Sequence, residues 1–222
     1  RDYGVQAAAA QAVGRLRMTG SLTVERLVHL LNHDRGTVRH AAAEAVGAIG
    51  PAGERGLVDL LRRLRDKYQA VRLAAAKSLG QIGPAADKAA PALLKLLEST
   101  DHETREAAAK ALGAIGPGVR ETAPQLIAAM ADASPEVAEA AGTALTQMGG
   151  SIRDSIHVIV EMLQSRDPAR LQLALKTLGG LAAHAAEAQD EIQACLKNPN
   201  GAVREAARSA LERIQRAEST RH

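Results

Sequence analysis

The chain has 222 residues, 46% of them hydrophobic, yet it holds no Phe or Trp and only Tyr3 and Tyr68 as aromatics. That composition excludes a thick aromatic-cored globule and favours thin layers of helices lined by Ala and Leu, which head the helix-propensity ranking. A net charge of +3 does not imply a nucleic-acid binder by itself, and a single cysteine, Cys195, excludes a disulfide framework or a CxxC metal site.

The predicted elements follow a fixed period. A helix over 2–16 comes first. Helices near 21–32, 53–65, 86–98, 119–131, 152–165 and 185–197 (the A set) then alternate with helices near 35–49, 69–82, 102–115, 135–148, 168–182 and 200–217 (the B set, to which 2–16 also belongs). In the B set the branched aliphatics Val13, Val46, Leu79, Leu112, Leu145, Leu178 and Leu211 stand 33 residues apart, each with Ala four residues earlier. In the A set Leu27, Leu60, Leu93, Leu126, Ile159 and Ile192 keep the same step, and an aliphatic or Met follows each at i+4, making one apolar stripe.

The punctuation agrees with this spacing. Asp2, Asp101, Ser134, Asp167 and Asn200 stand where N-caps are needed. Arg35 and Tyr68 break that pattern, with Asp34 and Asp66 as neighbouring substitutes. Gly50, Gly83, Gly116 and Gly149 stand where B helices end, and Pro51, Pro84 and Pro117 follow three of them. Self-similarity at this period indicates an all-α solenoid of antiparallel helix pairs with a 33-residue repeat. The expected organisation is one array over 1–222, about six and a half repeats, opening on the B helix 2–16 and closing on a polar capping repeat at 185–217. The apolar face of the first helix, with no A partner before it, is expected to pack on at least one more helix.

The run Val38-Arg39…Ala41-Ala42…Ala45-Val46-Gly47-Ala48-Ile49-Gly50, with its copies at 71–84 and 104–117, resembles the HEAT repeat family, in particular its phycobilisome-lyase-type HEAT-like repeats. The resemblance covers essentially the whole chain. It implies a right-handed superhelix with B helices on a concave side and A helices on a convex side. It also implies that the arginine ladder Arg39, Arg72, Arg105 and Arg204 ties repeats together through loop acids such as Asp101 and Asp132, leaving little of it for phosphate.

Two surfaces stand out as candidate sites. On the exposed face of the B helices lie His40, Glu44, Leu73, Lys77, Glu106, Lys110, Glu139 and Lys176, a polar row suited to a protein partner, since solenoids build extended binding surfaces. A basic edge, Arg35, Arg62, Arg63, Arg65 and Lys67, is the densest charge on the chain and suits an acidic peptide, a phosphate or a nucleic-acid backbone. The halves differ in charge: residues 1–111 hold 17 Lys/Arg against 12 Asp/Glu, and residues 112–222 hold 11 against 13.

Catalytic constellations are weak. HEAT-like di-iron hydroxylases use His-Glu dipeptides on successive B helices; here the matching site is His40-Ala41, and His102-Glu103 lies out of frame. His29 and His33 share a helix face without a carboxylate or Cys to complete a metal set. Cys195, between Ile192 and Leu196, reads as a structural thiol. No patterned Ser/His/Asp set and no phosphate-cradling Gly loop occurs. The expectation is therefore a monomeric, cytoplasmic, non-catalytic scaffold with no cofactor, binding a protein or peptide through its B-helix face, with nucleic acid disfavoured and no membrane insertion. The alternatives are an accessory subunit of an enzyme complex, lyase-like, or salt-sensitive anion binding through the basic edge.

Overall fold

The computed structural model describes residues 2–220, and among these every regular element is an α-helix or a 3₁₀ turn. The chain divides into two compact units, Arg1–Val119 and Arg120–His222. The first holds α1 (Tyr3–Arg15), α2 (Ser21–Leu30), α3 (Gly36–Ala48), α4 (Leu57–Arg63), α5 (Gln69–Ile82), α6 (Ala90–Leu97) and α7 (His102–Ile115). The second holds α8 (Ala123–Ala129), α9 (Pro135–Met148), α10 (Ile156–Glu161), α11 (Pro168–Leu181), α12 (Gln189–Ala194) and α13 (Gly201–Ser219). In each unit the B helices lie side by side, α1 to α3 to α5 to α7 in one and α9 to α11 to α13 in the other, and each A helix packs on its own B helix.

The predicted caps are made. Side chains of Asp2, Asp101, Ser134, Asp167 and Asn200 accept from backbone N–H groups of the first turn of α1, α7, α9, α11 and α13. A second layer of capping sits two residues earlier. His33 Nδ1, Asp66 Oδ1, Ser99 Oγ, Asp132 Oδ1, Ser165 Oγ and Asn198 Oδ1 accept from the N–H of residues 35, 68, 101, 134, 167 and 200, at 2.8 to 3.2 Å. His33, rather than the expected Asp34, therefore stabilises the loop before α3. Asp34 instead serves Arg39, through its backbone carbonyl and its nearby charge.

The A helices differ from the sequence reading. They do not run as single α-helices from residues 53, 86, 119, 152 and 185. Each begins as a seven-residue 3₁₀ turn, at Gly50–Gly56, Gly83–Ala89, Gly116–Thr122, Gly149–Ser155 and Ala182–Ala188, and becomes α-helical only in its second half. The cause lies in how the B helix ends. Gly50, Gly83, Gly116 and Gly149 take φ between 57° and 83°, which turns the chain sharply. At the fourth position of the 3₁₀ turn stands a buried residue in every copy, Gly53, Ala86, Val119, Ile152 or Ala185. Ala182 occupies the fifth such position with φ 51° and ψ −126°, backbone that a residue with a Cβ rarely adopts.

The core is the aliphatic ladder. Val46, Leu79, Leu112, Leu145 and Leu178 are fully buried, as are Leu60, Leu93, Leu126, Ile159 and Ile192 from the A helices. Burying one such side chain contributes roughly 1.5–3 kcal/mol. Ala42, Ala75, Ala108, Ala141, Ala174 and Ala207 are also fully buried, whereas Ala9, their counterpart in α1, is exposed together with Val5 and Leu16. Close helix approach depends on glycine. A Cβ on Gly14, Gly47 or Gly179 would stand 2.7–2.8 Å from the Cα of Ala45, Ser78 or Ala210 on the next B helix. Ser78 Oγ also donates across that seam to Ala43 O at 2.6 Å.

Between α9 and α11 this rule is broken and repaired. Thr146 and Thr177 stand where the other seams carry small residues. Thr177 fits against Gly142 and Thr146 against Gly180. Each threonine hydroxyl bonds to its own helix four residues back.

Candidate protein-interaction surfaces

The arginine ladder is consumed by the fold. Nη1 of Arg39, Arg72, Arg105 and Arg204 donates to the carbonyl six residues earlier, on His33, Asp66, Ser99 and Asn198, at 2.8–2.9 Å. Arg39 additionally grips Asp66 of the next loop through Nε and Nη2, at 2.7 and 2.8 Å. Asp101 is not a partner of this ladder, contrary to expectation. It caps α7 and accepts from Gln69, and its carboxyl is held below the usual range chiefly by the Thr104 hydroxyl. In α11 the ladder position is Leu171, which is buried, while Arg170 turns outward toward Asp167.

The Asp66 side chain is only 3% exposed. Burial pushes its carboxyl up. The Arg39 hydrogen bonds, the Tyr68 N–H and the charges of Arg39 and Arg63 outweigh that and hold it below the ordinary carboxylate range. The same contact holds the Arg39 guanidinium above its usual value.

Most of the basic edge is also engaged. Arg62 pairs with Asp59 at 3.1 Å and Arg63 with Asp66 at 3.3 Å. Arg35 lies over the Tyr3 ring at 4.8 Å and Lys67 over the Tyr68 ring at 5.1 Å, ordinary cation–π distances. Arg65 is exposed. The two tyrosines are half exposed, and each ring has a cation beside it. The edge is thus largely a set of local pairs.

On the B-helix face of the first unit, His40, Glu44, Leu73, Lys77, Glu106 and Lys110 come together around one open groove of about 820 Å³. Ala70, Leu73, Ala74, Ala107 and Ala111 form its floor, so it is more apolar than the polar row expected from sequence. Its rim carries His40 beside Glu44 at 3.7 Å and Lys110 on Glu106 at 2.5 Å. Lys77 has no ion pair among the described residues. In the second unit, Lys176 reaches Glu139 of the neighbouring B helix at 3.7 Å, on the wall of a groove of about 600 Å³.

Other candidates resolve as structural. His33 is taken by its bond from Arg35 N–H and an edge contact with Tyr3, so it does not share a metal face with His29. Among the described residues no group of three or more His, Cys, Asp or Glu is placed to hold a metal, and no helix is long and apolar enough to cross a membrane. Cys195 is buried, and burial pushes its thiol up, as an inert core thiol requires. Sequence reasoning missed a groove of about 960 Å³ between α10 and α12, whose side chains look from sequence like ordinary solvated positions.

Stacked pairs of antiparallel helices repeating every 33 residues, with grooves between successive B helices, define a helical-repeat protein of the solenoid class. The chain belongs to the HEAT repeat family, whose model matches residues 1–68, 54–146 and 123–212. Solved structures of the same fold include an archaeal HEAT-like repeats protein from Thermococcus onnurineus (17% identity, 98% of each chain covered, TM-score 0.62). The complex of CpcE and CpcF of phycocyanin lyase from Nostoc sp. also matches (24% identity, 96% of this chain and 90% of that one, TM-score 0.59). So does a designed armadillo repeat protein in complex with the peptide (KR)4 (18% identity, 86% and 99%, TM-score 0.62). No functionally characterised sequence matches significantly.

Proposed function

We propose that this chain is a non-catalytic protein-interaction scaffold that takes a segment of a partner protein across its B-helix face. The 33-residue step runs from Val13 to Leu211 without slippage, and we read the whole chain as one repeat array. The observation that carries the reading is the groove over α3, α5 and α7. An apolar floor of Ala and Leu73 lies between a His40–Glu44 wall and a Glu106–Lys110 wall, with the unpaired Lys77 at the rim. An apolar floor supplies affinity and a charged rim supplies register. The designed armadillo complex with (KR)4 and the CpcE–CpcF complex are instances of this fold engaging a peptide or a partner chain, which supports the reading.

The test is an affinity capture from source lysate at low and high salt. The bait is the chain or its Lys77→Glu/Lys110→Glu/Lys176→Glu variant. A protein retained by the first and lost from the second, at unchanged helicity, supports the B-helix face. Equal retention by both moves the site elsewhere.

A further inference from the structure

The second unit has another open groove, on its A-helix layer rather than its B-helix face. It runs between two facing stripes. One is carried by α10 and its flanking turns, at 153, 157, 160, 161 and 164. The other is carried by α12 and its flanking turns, at 184, 187, 188, 191 and 195. The lining residues of each stripe reach past the six-residue α10 or α12 into the 3₁₀ turns at its ends, so the groove is longer than either helix. Its volume is about 960 Å³.

The chemistry of the walls is specific. Val160 and Leu163, both half-buried, supply the apolar part of its floor, with Ile156 and Ala188 buried beneath them. Above it stand Asp154, Glu161, Glu187 and Glu191, all exposed. None of these four has an ion-pair partner among the described residues. The B-helix face behaves differently: there Glu44, Glu106 and Glu139 each face His40, Lys110 or Lys176. Arg153 and Lys197 lie at the ends of the groove and leave its lining net acidic.

An apolar strip between unpaired carboxylates is the complement of one particular element, a helix with aliphatic residues on one face and Lys or Arg on both flanks. Helix-in-groove docking reads such anchors at i, i+3/i+4 and i+7. We propose that the α10/α12 groove is a docking site for a basic amphipathic helix of a partner protein, separate from the B-helix face. The aliphatic side of that helix rests on Val160 and Leu163, and its basic flanks meet Glu161 on one wall and Glu187 and Glu191 on the other.

The probe is a fluorescein-labelled Leu/Lys amphipathic peptide of about 14 residues, roughly four turns, titrated with the full chain and read by anisotropy. Because the chain carries a net charge of +3, long-range attraction alone does not favour this cationic probe. Three control peptides accompany it: a Ser/Lys peptide of equal charge, a Leu/Glu peptide of reversed charge, and a Leu/Lys peptide broken by central proline.

The expected result is saturable binding of the Leu/Lys helix that weakens with salt and falls about tenfold or more in Glu187→Lys/Glu191→Lys. The single variant Glu161→Lys on the opposite wall should weaken it in the same sense, which guards against a folding defect confined to α12. Lys88→Glu, on the exposed 3₁₀ turn Gly83–Ala89 and outside both grooves, should leave it unchanged, and the scaffold reading has its own B-face variants, so failure here and failure of that reading are distinguishable. Equal binding by the wild type and the charge-reversed variants overturns the proposal. So does binding of the Ser/Lys or proline-broken peptide as tight as that of the intact helix.

Discussion

Replacing Arg39 with Met tests the central electrostatic claim about the fold. Met keeps much of the apolar stem and removes the guanidinium. Asp66 is then left with a 3%-exposed carboxylate, the Tyr68 N–H and Arg63 Nη1 at 3.3 Å. Breaking a buried pair from one side typically costs ~3–5 kcal/mol. The surviving Arg63 contact argues for the lower part of that range, and loss of the two bonds to the His33 and Asp34 carbonyls adds about 1 kcal/mol. The expected destabilisation is therefore ~3–5 kcal/mol at neutral pH, read by urea unfolding followed by far-UV circular dichroism.

The pH dependence sharpens the test. In the native chain the Asp66 carboxyl sits below its unfolded value, so it adds stability above that value, near ~3.9, and this is lost as pH falls through the folded value. In Arg39→Met the burial that opposes ionisation meets fewer compensating contacts, and the carboxyl moves up. A carboxyl raised above its unfolded value favours folding at acid pH and loses that contribution as pH rises. The gap between the two proteins should therefore shrink towards pH 3. A loss below about 1 kcal/mol, or a gap that does not change with pH, would refute the view that Arg39 and Asp66 form a desolvated pair.

Ala182→Gly should stabilise the second unit by about 0.5–1.5 kcal/mol, the strain of a side chain at φ 51° less the entropy cost of glycine. Gly83→Ala should cost about 1–3 kcal/mol although no atom lies within 4 Å of the added Cβ, because the penalty there is conformational rather than steric; equal stability of either variant with the parent would contradict this. Ala108→Leu overpacks a fully buried contact and should cost at least ~1–3 kcal/mol in chemical denaturation. The Cys195 thiol should resist a thiol-specific reagent in the folded chain and react on unfolding; rapid native-state labelling would show that the helix α12 region opens.

The B helices were legible to within a residue or two because their signals are residue types. An Asp, Ser or Asn opens them, a Val or Leu at a fixed step fills them, and a Gly ends them. The A helices were read too long because Gly50 and its copies were taken as stops, whereas they also set φ values that launch a 3₁₀ turn. Of the acceptors at 33, 66, 99, 132, 165 and 198, only Asp66 was read as a cap; the rest escaped because His, Asp, Ser and Asn share a lone pair rather than one residue letter at the 33-residue step. The side chains of the B-face groove were legible, but its apolar floor was not, because Ala70, Ala74 and Ala107 looked like core. The α10/α12 groove depends on how far two helices stand apart, which spacing along the chain does not encode.

The threonine–glycine exchange between α9 and α11 carries a consequence for how such a chain is assembled from copies. At the α1/α3, α3/α5 and α11/α13 seams, a glycine on one helix receives the backbone of the next at the same register, so those joints share one pattern. At α9/α11 both partners changed together: Thr177 needs Gly142, and Thr146 needs Gly180. Neither helix would seat properly against a neighbour built to the common pattern. Duplicating or shuffling repeats across that joint would create a clash on one side and a hollow on the other. The exchange therefore acts as a lock and key inside the array, fixing the order of otherwise similar modules.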